Sequence, residues 1–153
     1  MMNIQSDDTT QQRLDLYKST MLEVGYKDED IVRNIEDSWA WRNVFVAETD
    51  MEAETFGIPY FRNMRAYLSE NRTRMNTPEE IESQLRAVTG AARDSVDYGL
   101  VFGSPDTVCQ KLEGLNKTGI GGVIIHFRLG EMPYELAANS LKLFAEKVAP
   151  NFD

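Results

Sequence analysis

The chain has 153 residues and carries 25 acidic against 16 basic side chains, a formal charge of −9, which opposes nucleic acid or an anionic membrane surface as its partner. Hydrophobic residues make up 42% of it, enough for the core of one domain. Its one cysteine, Cys109, gives neither an internal disulfide nor a thiolate metal site, so a reducing cytoplasm is expected and a metal is not.

The first residues, Met1-Met2-Asn3-Ile4, have no basic or apolar export signal, and no run approaches the ~18 apolar residues of a membrane span. Residues 1–10 are polar and acidic and are expected to fray as a disordered tail, leaving a single domain over 11–153. Leu14, Tyr17, Met21 and Val24 then recur at helical spacing up to Gly25, and Ile31, Ile35 and Trp39 repeat the pattern after Asp28-Glu29-Asp30, predicting two helices. The stretch from Trp41 to Ala47 is short and β-rich. It runs into Thr49-Asp50-Met51-Glu52, where Thr at the N-cap and Glu at N3 form a capping box.

The helix so opened carries Phe56, Tyr60, Phe61, Met64 and Tyr67, and Gly57 and Pro59 are expected to bend or interrupt it. Thr77-Pro78-Glu79-Glu80 gives a second box, opening a helix through Ile81, Leu85 and Val88. More residues separate the first strand from the next than one crossover helix needs, which implies a helical insertion over about 68–96. That segment and its approach hold Arg62, Arg65, Arg72, Arg74, Arg86 and Arg93. They form either a solvated excursion or a lid bringing arginine over an anionic ligand.

The last third reads as two βα units. Gly99 to Gly103 is a short apolar strand bounded by glycines, and Ser104-Pro105-Asp106 starts a helix with the buried stripe Val108, Leu112 and Leu115. A glycine-rich turn, Gly119 to Gly122, leads into the strand Val123-Ile124-Ile125-His126-Phe127. A final helix from about Pro133 would bury Leu136, Ala137, Leu141, Phe144 and Val148. Right-handed crossovers would lay the three strands side by side and parallel. Consecutive βα units of this kind build (β/α)8 barrels, but a whole barrel takes roughly 250 residues, so the fold expected is α/β, a partial barrel of about three parallel strands with flanking helices.

Several segments carry a family resemblance. Val101-Phe102-Gly103-Ser104-Pro105-Asp106-Thr107-Val108, Gly119-Ile120-Gly121-Gly122-Val123-Ile124-Ile125, Met132-Pro133-Tyr134-Glu135 and Ser140-Leu141-Lys142-Leu143-Phe144-Ala145-Glu146-Lys147-Val148-Ala149-Pro150, in that order, resemble the C-terminal end of the luciferase-like flavin-dependent monooxygenases. Arg42-Asn43-Val44-Phe45-Val46-Ala47-Glu48-Thr49-Asp50-Met51-Glu52-Ala53 resembles the sixth strand of that family and the start of its helix. The resemblance implies the last three barrel strands of an enzyme that uses reduced FMN, or a deazaflavin, to insert one atom of O2 into a small organic substrate. It also implies a flavin reductase as supplier, and either a homo-oligomer or a missing N-terminal half as partner. The alternative is a truncated, non-catalytic paralogue that binds a partner or oligomerises.

Alternation places Ile124, His126 and Arg128 on one face of the last strand, with the polar pair at its C-terminal end, where barrel sites lie. His126, the only histidine, is a candidate proton donor or acceptor, and Arg128 a candidate anion clamp or a surface partner of Glu131. If Val44 and Val46 lie under helices, Asn43 faces inward, where a polar side chain needs a partner or a ligand. Asn43, Arg72 and Arg74 are therefore candidate substrate contacts. Gly103 and Ser104 offer N–H groups and a hydroxyl at a helix start, a cofactor-phosphate position in barrels, with capping as the competing role.

Overall fold

The computed structural model describes residues 5–86 and 95–152, with the side chains of 83–86 left out. Two helices come first, α1 (Asp7–Glu23) and α2 (Asp28–Glu36). The Ser6 hydroxyl caps α1 by accepting the Thr9 N–H at 3.2 Å, and Asp7 and Asp8 in the first turn complement the helix dipole. From Gln5 onward the chain departs from the expected frayed tail, of which residues 1–4 lie outside the described residues: Gln5 and Thr10 are buried, and the helix starts at Asp7, before Gln11. Gly25, at φ 89°, ends α1 in a left-handed turn. The pair buries Leu14, Met21, Ile31 and Ile35 against one another.

Strand β1 (Trp39–Val46) begins two residues before the expected Trp41. It is the central strand of a parallel three-stranded sheet in the order β2-β1-β3. Strand β2 (Leu100–Gly103) pairs with its C-terminal half, from Asn43 with Leu100 to Val46 with Gly103. Strand β3 (Gly122–His126) pairs with its N-terminal half, from Trp39 with Gly122 to Asn43 with His126.

Three parallel strands are what the sequence predicts, but their order is different. Consecutive barrel strands are neighbours, whereas here the connection from β2 to β3 steps over β1, so these are not three successive strands of one barrel wall. Right-handed crossovers running in opposite directions place their helices on opposite faces, and the cores follow that rule. Helix α3 (Asp50–Met75) packs Ala53 and Phe61 against Phe45 and Leu100. The helix after β2 packs Val108 and Leu112 against Val44 and Val46 on the other face.

Helix α3 runs for 26 residues with Pro59 inside it, so of the expected bend or interruption the interruption does not occur. Proline costs a helix interior about 3 kcal/mol, and fully buried Phe61 alone offsets about 2–3 kcal/mol of that. Gly57 serves close approach: a Cβ there would lie 2.8 Å from the Phe45 ring. Helix α4 (Pro78–Arg86) opens with the Thr77 and Glu80 box as predicted. Its expected continuation to Val88, and Arg93, lie outside the described residues.

A single turn, α5 (Val96–Gly99), leads into β2, and α6 (Pro105–Asn116) follows it. The last helix, α7 (Tyr134–Leu143), continues into a π-helical turn (Phe144–Val148) and a short 3-10 turn (Ala149–Asn151). Leu141 is exposed rather than buried, and its neighbour Ser140 is buried instead. The Ser140 hydroxyl accepts the Val46 N–H at 2.8 Å, beyond the point where β3 stops pairing with β1.

Candidate functional site

His126 ends β3 beside Asn43 of β1, and the two side chains meet; alternation predicts that Asn43 lies opposite Val44 and Val46, and the strand order adds the meeting. Asn43 is buried. Its Nδ2 donates to the Gly99 carbonyl at 2.8 Å, and its Oδ1 lies 3.1 Å from His126 Nδ1. Protein contacts thus occupy one N–H and the oxygen of the Asn43 amide. On the other side of His126 lies the Trp41 ring, at 5.9 Å between centroids and tilted by 42°. Burial holds the imidazole below its ordinary pKa of 6.5, because desolvation disfavours the imidazolium.

His126 opens onto a cleft of about 640 Å³, within the size range of small-molecule sites. Tyr60, Asn63, Met64, Tyr67 and Leu68 of α3 form one wall, and Arg128, Gly130 and Glu131 of the segment after β3 form the other. The sequence singled out His126 and Arg128 but not the α3 wall, whose aromatics read as ordinary helix packing. Arg128 Nε donates to the Met132 carbonyl at 3.3 Å, and no ion pair joins it to Glu131 among the described residues. Arg72 and Arg74 sit in the last turn of α3, beyond the residues that line the cleft.

Gly103 and Ser104 are committed elsewhere. The Ser104 N–H donates to Asp50 Oδ1 at 2.6 Å and the Thr107 hydroxyl to Asp50 Oδ2 at 3.0 Å. The Ser104 Oγ caps α6. The carboxylate of Asp50 thus occupies the place that a phosphate would take at this helix start, and these bonds, led by the Ser104 N–H, hold its carboxyl below the ordinary value. Gly103 fits the turn because a Cβ there would press on Thr107 and Asp50, and its φ of 149° suits glycine.

Arg42 is a buried charge that the sequence reading left without a role. It lies on the face of β1 that α6 covers, 4% exposed, and pairs with Asp7 at 3.6 Å while donating to the Gln5 and Trp41 carbonyls. Its alternation with Val44 and Val46 was the available signal, since a charge on a buried face requires a partner. Among the described residues there is no cluster of three or more histidine, cysteine or acidic side chains that could hold a metal, and no helix is long and apolar enough to cross a membrane.

No family model and no curated protein matches the chain. Among solved structures it is similar to monooxygenase RslO1 from Streptomyces bottropensis, with 24% identity and a TM-score of 0.63 over 98% of this chain and 40% of that one. It is also similar to the oxygenating constituent of 3,6-diketocamphane monooxygenase of Pseudomonas putida, a type II Baeyer-Villiger monooxygenase in complex with FMN. There the identity is 22% and the TM-score 0.61 over 99% of this chain and 42% of that one. The chain thus has the fold of about two fifths of the length of these monooxygenases.

Proposed function

We propose that the chain is the C-terminal portion of a luciferase-like flavin-dependent monooxygenase that places one atom of O2 on a small organic substrate. The observation that carries this reading is the superposition of nearly the whole chain on part of two monooxygenases, one of them holding FMN. In this reading β1 and β3 are neighbouring barrel strands, β2 is a short strand added at the C-terminal end of β1, and the remaining strands join elsewhere.

The cleft residues fit a flavin in part. Tyr60, Tyr67, Met64 and Leu68 offer an apolar and aromatic wall for a flat ring, and Arg128 offers one cation for an anionic group. The start of α6 does not hold the phosphate, since Asp50 fills it. When bound, reduced flavin supplies the two electrons that take one oxygen atom to water while the other enters the substrate. His126 would move or hold a proton at the cleft wall, Arg128 would orient an anion, and Trp41 would keep water from the imidazole. A flavin reductase supplies the reduced cofactor, a deazaflavin is the competing cofactor, and the cytoplasm is the proposed location.

Titrating the 153-residue chain with FMN, read by flavin fluorescence, tests this. Weak, saturable binding is expected, with Kd above about 1 μM, or a binding energy less favourable than about −8 kcal/mol. No saturable binding up to about 1 mM, near −4 kcal/mol, would sink the flavin reading. A second reading, a non-catalytic module that pairs with another chain, is favoured by Trp39 and Ile124. They are 44% and 37% exposed, Trp39 at the start of β1 near Ile125 and Phe144 and Ile124 within β3, and apolar side chains so exposed call for cover.

A further inference from the structure

We infer that Asn43 is a positioning residue that fixes His126 as the Nδ1–H tautomer, so that Nε2 meets the cleft as a hydrogen-bond acceptor and the cleft takes a ligand presenting an N–H or O–H donor there. The inference deepens the flavin reading and rests on it for the ligand, but not for the tautomer. The Gly99 carbonyl can only accept, so the Asn43 atom 2.8 Å from it is the NH2 group. Its other atom is then the amide oxygen, also only an acceptor, and the His126 Nδ1 at 3.1 Å must carry the proton. In water neutral imidazole favours the Nε2–H form, so the protein reverses the ordinary preference.

The choice of an amide has a chemical consequence. The oxygen of Asn43 accepts from Nδ1–H whether or not Nε2 is protonated, so His126 can take a proton from a donor in the cleft and return it without breaking the contact. A carboxylate in that place would favour the imidazolium. Among the described residues, Trp41 and Asn43 of β1, which do not titrate, lie against the ring, and the cleft it opens onto carries the phenols Tyr60 and Tyr67 of α3 and Arg128 and Glu131 of the segment after β3. Burial also keeps the ring neutral near pH 7.

Because His126 is the one histidine, ¹⁵N NMR of the whole 153-residue chain reads its two ring nitrogens without ambiguity. The expected result, with no flavin present, is a protonated Nδ1 and an unprotonated Nε2. Asn43→Ala, checked for folding by circular dichroism, should shift the ring toward Nε2–H. Asn43→Asp should keep Nδ1–H and raise the titration midpoint, and it carries the test if the alanine variant fails to fold. A wild-type ring in the Nε2–H form, an alanine variant that folds and keeps Nδ1–H, or an aspartate variant with an unchanged or lower midpoint would each overturn the inference. Added FMN should then move the Nε2 signal and leave Nδ1 in place. If FMN moves neither, the flavin reading fails while the tautomer result stands.

Discussion

The cleft wall holds His126, paired with Asn43 of the neighbouring strand. Since burial depresses the pKa of His126, the unfolded chain takes up its proton first as pH falls. The neutral ring's contribution is therefore full above the ordinary value of 6.5 and is lost as pH drops from there to the lower folded-state value. Urea midpoints measured across that window should fall for the wild type, and His126→Gln should flatten this part of the profile. An identical slope in the variant would remove His126 as the titrating group. In the complete enzyme the same substitution should cost roughly 10²-fold or more in turnover if His126 transfers a proton, whereas a packing role predicts normal turnover with a lower Tm. Alternation made Asn43 and His126 legible, each on its own strand, as polar residues of an inward face, but their meeting follows from the strand order, which brings β3 beside β1. Nor did alternation show that the Gly99 carbonyl would claim the amide, because that contact depends on which strand sits beside β1.

Helix α3 and the start of α6 show how tertiary contacts override local propensity. Pro59 and Gly57 read as breakers in sequence, yet the glycine lies under Phe45 and the helix continues. Gly57→Ala should gain about 1 kcal/mol of helix propensity and lose roughly 1–3 kcal/mol to overpacking against the buried ring. A net loss in denaturant midpoint is expected, and a gain would show that α3 can shift outward freely. Asp50→Ala should lower Tm by removing the acceptor for Ser104 and Thr107, and added inorganic phosphate should restore part of the loss, since the vacated helix start is an anion site. A Tm unchanged by the substitution would make the Asp50 bridge dispensable. The capping boxes at Thr49 and Thr77 were legible because their partners are three residues away. The Asp50 bridge spans two distant segments and left no local mark.

The whole molecule is built round a sheet wound in both directions, with apolar side chains left at its surface. The βα pattern predicted parallel strands and crossover helices, but strand order depends on which edge each crossover chooses, and the motifs on either side of β2 are the same for both choices. With Trp39 and Ile124 exposed and the outer edges of β2 and β3 unpaired among the described residues, the isolated chain should self-associate or unfold at modest temperature. Sedimentation showing a monomer across micromolar concentrations, together with a cooperative transition at high temperature, would contradict this.

The ion pair between Arg42 and Asp7 reaches beyond local electrostatics to the question of where the chain can be trimmed. The acidic stretch at the beginning looks dispensable, yet it supplies both the carboxylate and the Gln5 carbonyl that surround a guanidinium beneath the sheet. A version starting at Gln11 would leave that cation buried without its counterion. Allowing for the partial exposure of Asp7, the loss is on the order of 2 kcal/mol, a large part of the reserve of a small domain. Arg42→Met in the shortened version should recover most of it, which would make an unremarkable stretch of polar residues the fastening of the central strand.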